Sequence, residues 1–111
     1  MDSILTSIKK LLGIESDYTH FDNEIVIHIN SALMILQQIG VGPEEGFSIT
    51  SESETWRNYL GESMSNYALV KSYVYLKVKL VFDPPASASV ADSYKQLINE
   101  YEFRLNVKAE S

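Results

Sequence analysis

Asp17, His20, Asp22, Glu24 and His28 form the densest group of ionisable side chains in this 111-residue chain. Glu24 and His28 are four residues apart, so on a helix they share one face, a spacing that suits two ligands of a metal ion. The rest of the group precedes that helix, and caps and surface ion pairs account for it more simply. General acid and base catalysis needs two carboxylates converging on a pocket. Glu44 with Glu45, Glu52 with Glu54, and Glu100 with Glu102 instead sit in polar stretches without an apolar wall. There is no Gly-x-Ser-x-Gly elbow and no glycine-rich phosphate loop after an apolar strand. The chain is therefore read as non-enzymatic, with no catalytic residue, no metal and no cofactor.

Lys71, Lys77 and Lys79 interleave with Tyr73 and Tyr75, a pattern that can stack on and neutralise a nucleic-acid strand. On a helix, positions 71, 75 and 79 share one edge while 73 and 77 lie elsewhere. Lysines snorkelling from a largely buried helix explain them better. The net charge of −6 also argues against broad phosphate-backbone binding. All of that excess lies in residues 1–60, with nine acids (Asp2, Glu15, Asp17, Asp22, Glu24, Glu44, Glu45, Glu52, Glu54) against three bases (Lys9, Lys10, Arg57). The absence of cysteine excludes disulfides, thiolate metal sites and a cysteine nucleophile. Lys9 and Lys10 interrupt the only candidate leader, and the longest apolar run is Ala32–Leu36, so an unprocessed soluble chain without a membrane span is expected.

The elements that carry these residues follow from periodicity. Ile4, Leu5, Ile8, Leu11 and Leu12 predict a helix over 3–12, capped by Asp2 or Ser3 and closed by Gly13, with Lys9 and Lys10 in the last turn, where the helix dipole favours them. Asp22 reads as the N-cap of a long helix to about Ile39, with Phe21 and Val26 as its hydrophobic staple. Ile25, Ile29, Ala32, Leu33, Leu36 and Ile39 form the core stripe of that helix. Its opposite side mixes Ile27 and Met34 with uncharged polar residues, Asn30 and Gln37 among them.

Residues 40–50, with three glycines and a proline, predict an extended loop with a short strand at 47–49. Ser51 and Glu54 fit a capping box opening a short helix with Trp56, Tyr59 and Leu60. From Met64 to Phe82 the pattern suits either helix or strand, and its length favours helix. Asp83-Pro84-Pro85 ends that element. Ser89 and Asp92 then cap a helix whose stripe is Val90, Tyr94, Leu97, Ile98, Tyr101 and Leu105, and residues 106–111 are expected to fray. The fold class is all-α: a small bundle of three longer helices plus one or two short ones, in a single domain over 1–111. Seven tyrosines and the mixed second face of residues 23–38 favour self-association.

The order of segments resembles the head-tail connector (adaptor) family of tailed bacteriophages and prophages. The resemblance rests on Leu12-Gly13-Ile14, the helix from Asp22 to Ile39, and Ser53-Glu54-Thr55-Trp56 with Leu60. It continues through Tyr73-Val74-Tyr75-Leu76-Lys77-Val78, Val81-Phe82-Asp83-Pro84-Pro85 and Glu102-Phe103-Arg104-Leu105. Lys79 stands where relatives often carry Arg, and Phe103 where many carry Trp. What the resemblance implies is a structural virion protein, made in the bacterial host cytoplasm. Such a protein forms a homo-oligomeric ring between the portal protein and a stopper or tail-completion protein, and DNA passes through without specific binding. Head-to-tail rings need two different faces on each subunit. The faces expected here are Ile27, Asn30, Met34 and Gln37 on the long helix, and Tyr73 and Lys77 on the 64–82 helix. Docking to neighbouring rings is expected from Phe47 and Ile49 in the loop and from Arg104 and Val107 near the tail. A small cytoplasmic helical interaction or regulatory subunit shares the same composition and fold class.

Overall fold

The segment that suits helix and strand equally well is the centre of the fold, and it is helical. In the computed structural model, which describes residues 3–62 and 64–110, the elements are α1 (Ile4–Leu11), α2 (Asp22–Gln38), α3 (Trp56–Leu60), α4 (Tyr67–Phe82) and α5 (Ala88–Glu110). There is no strand among the described residues, and residues 47–49 are irregular; the nearest thing to a ladder is an isolated antiparallel bridge between Ser3 and Thr55. The body is flat, 38 × 34 × 19 Å.

Apolar residues all round a helix demand cover on every side. Val70, Tyr73, Val74, Leu76 and Val78 of α4 are all buried, although they point in several directions around its axis. One flank is covered by α2 through Ile25, Ile29, Ala32, Leu33 and Leu36, and another by α5 through Ile98 and Leu105. α1 supplies Ile4, Leu5 and Ile8, and α3 adds Trp56 and Tyr59. The indole Nε1 of Trp56 donates to Ser7 Oγ at 3.1 Å, and that hydroxyl donates in turn to the Ser3 carbonyl at 2.7 Å. Both buried polar groups are thereby satisfied, as most interior groups are. Between α4 and α5 the Tyr73 hydroxyl donates to Glu102 Oε2 at 2.7 Å.

Several helix ends differ from expectation. Ser3 caps α1, accepting from the Thr6 amide, and Gly13 takes the left-handed φ of +81° that closes it; the alternative cap, Asp2, lies outside the described residues. Asp22 is not the cap of α2 but its first residue, and Phe21 precedes it without a side-chain cap. Its carboxylate is engaged elsewhere, by Lys9. The α3 box is Thr55 with Asn58, one residue cap and one reach-back, not Ser51 with Glu54. The α5 helix starts one residue before Ser89, and Ser87 Oγ accepts from the Val90 amide, so Ser89 and Asp92 are inside the helix. At its other end α5 continues through Glu110, past the expected fraying point, because that end has packing partners. Asn106 Nδ2 donates to the Ile39 carbonyl, and a Cβ on Gly40 would lie 2.8 Å from that of Ala109.

Lys9 is the least expected core residue, its side chain only 2% exposed. Nζ donates to the carbonyls of Ser16 at 3.1 Å and Tyr18 at 2.8 Å and pairs with Asp22 Oδ1 at 2.7 Å. Two carbonyl hydrogen bonds and one ion pair surround the ammonium, so a buried charge ties α1, the 12–21 connection and the start of α2 together. Removing one member of such a pair strands the other. Lys9→Ala is therefore expected to cost about 3 kcal/mol of unfolding free energy, measured by urea denaturation, while the exposed neighbour change Lys10→Ala stays within about 0.5 kcal/mol.

Burial pushes the phenol of Tyr59 far above the ordinary 10.0, and burial, helped by the hydrogen bond and charge of Glu102, does the same for Tyr73. The folded chain keeps both protons where the unfolded chain releases them, so this stability is complete below pH 10.0 and is lost as pH rises above it. In an alkaline titration followed by phenolate absorbance, these two tyrosines should ionise only together with unfolding.

Candidate functional site

His28 Nε2 lies 3.5 Å from Glu24 Oε2, an i,i+4 contact on the surface of α2. Among the described residues no three His, Asp or Glu side chains converge as a metal set. His20 stacks in a partly exposed aromatic cluster, 4.8 Å from the Phe21 ring, and Phe21 packs edge-on to Phe82 at 5.3 Å. Asp22 belongs to Lys9. The cleft between Gly40–Gly42 and the end of α5, about 140 Å³, is lined by Leu60, Ser65, Asn66, Lys108 and Ala109, without an acid or histidine.

The stacking reading of α4 is not met. Tyr73 is wholly buried, Lys71 lies over the Tyr67 ring at 5.5 Å, and Lys79 pairs with Asp83 at 2.8 Å, a hydrogen bond that raises its pKa. Burial equally removes Tyr73 from any subunit surface, a correction that follows from the central place of α4. Lys77, on the same helix, is half-buried.

The outer side of α2 separates into two edges. Asn30 and Gln37, two turns apart, hold the returning loop. Asn30 Nδ2 donates to the Ile49 carbonyl at 2.9 Å, its Oδ1 accepts from the Ile49 amide at 2.8 Å, and Gln37 Nε2 donates to the Glu44 carbonyl at 2.8 Å. The Asn30 amide thus gives Ile49 the pair of bonds a neighbouring strand would give, which is why residues 47–49 need no strand. The Ile49 side chain is buried and cannot dock to anything; Phe47 is half-buried with its ring 5.1 Å from that of Tyr59. Gly42, at φ +85°, lets the loop pass so near Tyr59 that any Cβ would be 2.5 Å from its ring. The other edge of α2 holds Ile27, 63% exposed, and Met34, 55% exposed. These two lie roughly 170° round the helix from the core stripe, and nothing in the fold uses them. Arg104 and Val107 are exposed on α5, Arg104 with Glu100 at 3.5 Å.

Of the nine acids in residues 1–60, two serve the fold. Asp22 neutralises Lys9, and Glu54 accepts from the Thr50 amide, the Thr50 hydroxyl and the Ser51 amide. Glu15, Asp17, Glu24, Glu44, Glu45 and Glu52 are exposed. Asp2 lies outside the described residues.

An exposed apolar helix edge and an exposed set of acids are the features the described surface offers for assembly. The sequence matches the family described as phage connector protein over residues 4–111. The chain belongs to that family. No curated protein and no solved structure matches it. The connector family is a structural one within the phage, which agrees with the all-helical architecture and with a site made of surfaces. No helix among the described residues of this connector is long and apolar enough to cross a membrane.

Sequence reasoning missed the structural roles of Lys9, Asn30, Gln37 and Glu54. Two amides seven residues apart on a helix, followed at once by a glycine-rich loop, are the signal that would have found Asn30 and Gln37. For Glu54, burial works against ionisation, but the hydrogen bonds from Thr50 and Ser51 outweigh it and lower its pKa from 4.5. A lowered carboxylate pKa gives stability that is present above the unfolded value and lost as pH falls through the folded one. Glu54→Gln should therefore weaken the connector at neutral pH, and the gap between wild type and variant in urea unfolding should close as pH falls below 4.5.

Proposed function

We propose that this connector is a ring-forming adaptor that sits between the portal and a stopper or tail-completion protein and extends the DNA channel after packaging. In this reading residues 1–111 are one connector domain, the protein is a component of the virion at the head-tail junction, and it is made in the bacterial host cytoplasm. The observation that carries it is the Ile27–Met34 edge. Two large apolar side chains at more than half exposure, opposite the core of a long helix, are uncovered in the single chain. Repeated head-to-tail contact between identical copies closes a ring when the rotation allows it, and such an edge is one side of that contact.

The charge pattern fits a channel that DNA slides through. Between Lys10 and Arg57 the chain has neither lysine nor arginine, and six of the acids in its first sixty residues are exposed. A surface of that sign repels phosphate backbone, so DNA passes without specific binding. Docking to the rings above and below falls to the loop that turns at Glu44, Glu45 and Gly46, whose exposed acids are held in a fixed position by Gln37 and Asn30.

Met34→Lys puts a charge into the proposed contact without touching the core. Ring formation, scored by negative-stain electron microscopy, is expected to need roughly ten times more protein or more, since each tenfold corresponds to about 1.4 kcal/mol. Equal ring yields for variant and parent would remove α2 from the interface.

A further inference from the structure

The buried ammonium of Lys9 is spent on a short surface connection, and that connection displays aromatic rings. Two turns follow each other there. The Tyr18 amide donates to the Glu15 carbonyl at 3.1 Å, and the Asp22 amide to the Thr19 carbonyl at 3.2 Å. Lys9 Nζ holds the carbonyls of Ser16 and Tyr18 and the carboxylate of Asp22, so both turns are fixed from within. Tyr18 is 50% exposed, Phe21 36%, and His20 is exposed between them. Their ring centroids form a triangle, 5.9 Å from Tyr18 to Phe21, 6.1 Å from Tyr18 to His20 and 4.8 Å from His20 to Phe21. Phe82, edge-on to Phe21 at 5.3 Å, seats the group on the end of α4. We propose that this three-ring platform binds a basic segment of a partner protein, with an arginine side chain laid on the Tyr18 and Phe21 rings. The proposal stands whether or not the chain forms rings.

Contiguity separates these rings from the rest. The other ring contacts among the described residues, Phe47 with Tyr59 and Trp56 with Tyr67, each include a ring that the core has buried. Tyr18, His20 and Phe21 touch one another and all keep surface open to solvent. A single exposed aromatic side chain needs no explanation, whereas a joined set of them offers one apolar, electron-rich surface.

Charge identifies the occupant. Residues 11–56 contain neither lysine nor arginine, and the bases that come near from elsewhere are already matched. Lys9 pairs with Asp22, Lys79 pairs with Asp83 beside Phe82, and Lys10 lines the same cleft as Glu15. Asp17, next to Tyr18, and Glu24, one turn after Phe21 and 3.5 Å from His28, are the carboxylates left over. Phosphate and acidic peptides are repelled by such a surface, and a proline-rich strand would use the rings but not the acids. A guanidinium uses both, since it stacks on aromatic rings and pairs with carboxylates. Because Lys9 fixes the turns in the free chain, binding does not have to order them, which favours affinity.

The test is a titration of the full-length, isotopically labelled protein with a peptide alternating glycine and arginine, followed by amide chemical shifts at low salt. Shifts are expected to cluster in residues 15–24 and 79–83. Tyr18→Leu keeps apolar area and removes the ring, and it should weaken binding about two- to fivefold; Tyr18→Trp should strengthen it. The Tyr18 carbonyl, not its ring, meets Lys9, so these variants leave the clamp in place. Asp17→Asn checks the charge side independently, with a loss of affinity at low salt that fades as salt screens the pair. Equal shifts at Glu44 and Glu45 would reduce the effect to general acidity and overturn the platform. So would unchanged affinity in Tyr18→Leu, tighter binding of the same peptide with proline in place of arginine, or no binding of the arginine peptide at all.

Discussion

Sixteen residues of helix with apolar side chains over more than half of the circumference impose one requirement, that α4 be covered on several sides at once. The other helices can be understood as answers to it. α2 and α5 lie along its flanks, α1 joins α2 over the same core, and the short α3 places Trp56 and Tyr59 where the loop between α2 and α4 would otherwise leave a gap. Each covering helix needs only one apolar side for this purpose. What its other side carries is not constrained by the core, so apolar residues there call for an explanation outside the single chain. This is the logic by which Ile27 and Met34 stand out against a background in which scattered exposed hydrophobic residues are ordinary.

The helices themselves were legible because their signals are local. Periodicity identified α1, α2 and α5, length favoured helix over strand for α4, and Asp83-Pro84-Pro85 ended it where the structure does. The misplaced ends share a cause. Ser51 with Glu54 and Ser89 with Asp92 have the spacing of capping boxes, but Thr55 with Asn58 and Ser87 lie close beside them, and the choice between neighbouring candidates depends on where the chain enters the bundle. α5 runs past the expected fraying point because Ile39 and Gly40 approach its end from another segment, a contact with no local sequence signal.

Among the surface residues, the legible part was again the periodic one. Ile27 and Met34 are where helical spacing puts them. Asn30 and Gln37 share the outer half of α2 with them, and spacing alone could not show that their amides are occupied by backbone groups seven and nineteen residues away. Lys9 is the clearest case. A lysine in the last turn of a helix has a sufficient local reason in the dipole, yet here the 12–21 connection folds back and wraps two carbonyls and a carboxylate around the ammonium. Long-range closure of that kind has no local sequence signature. Tyr73 was misassigned for the opposite reason: tyrosine is common at interfaces, but a hydroxyl that finds Glu102 lets it serve in the core as well.

The acidic excess, first visible as a bulk property, has an internal order. Asp22 and Glu54 are consumed by the fold. Among the described residues, five of the other carboxylates of this half lie toward the ends of α2 in the chain, Glu15, Asp17 and Glu24 toward its start and Glu44 and Glu45 just beyond its finish, while Glu52 is exposed on the loop before α3. Ile27 and Met34 lie between these ends. An apolar band bounded by two acidic ends discriminates among partners in a way that neither part does alone. The band rewards burial by any apolar surface, while the ends penalise a partner that brings carboxylates of its own and favour one that brings bases at the rim. In the proposed ring this division would let the apolar centre supply the attraction and the charged ends set orientation and register. The acids left over on the loops would face whatever passes through or stacks above, where repulsion of phosphate and not attraction is the useful property.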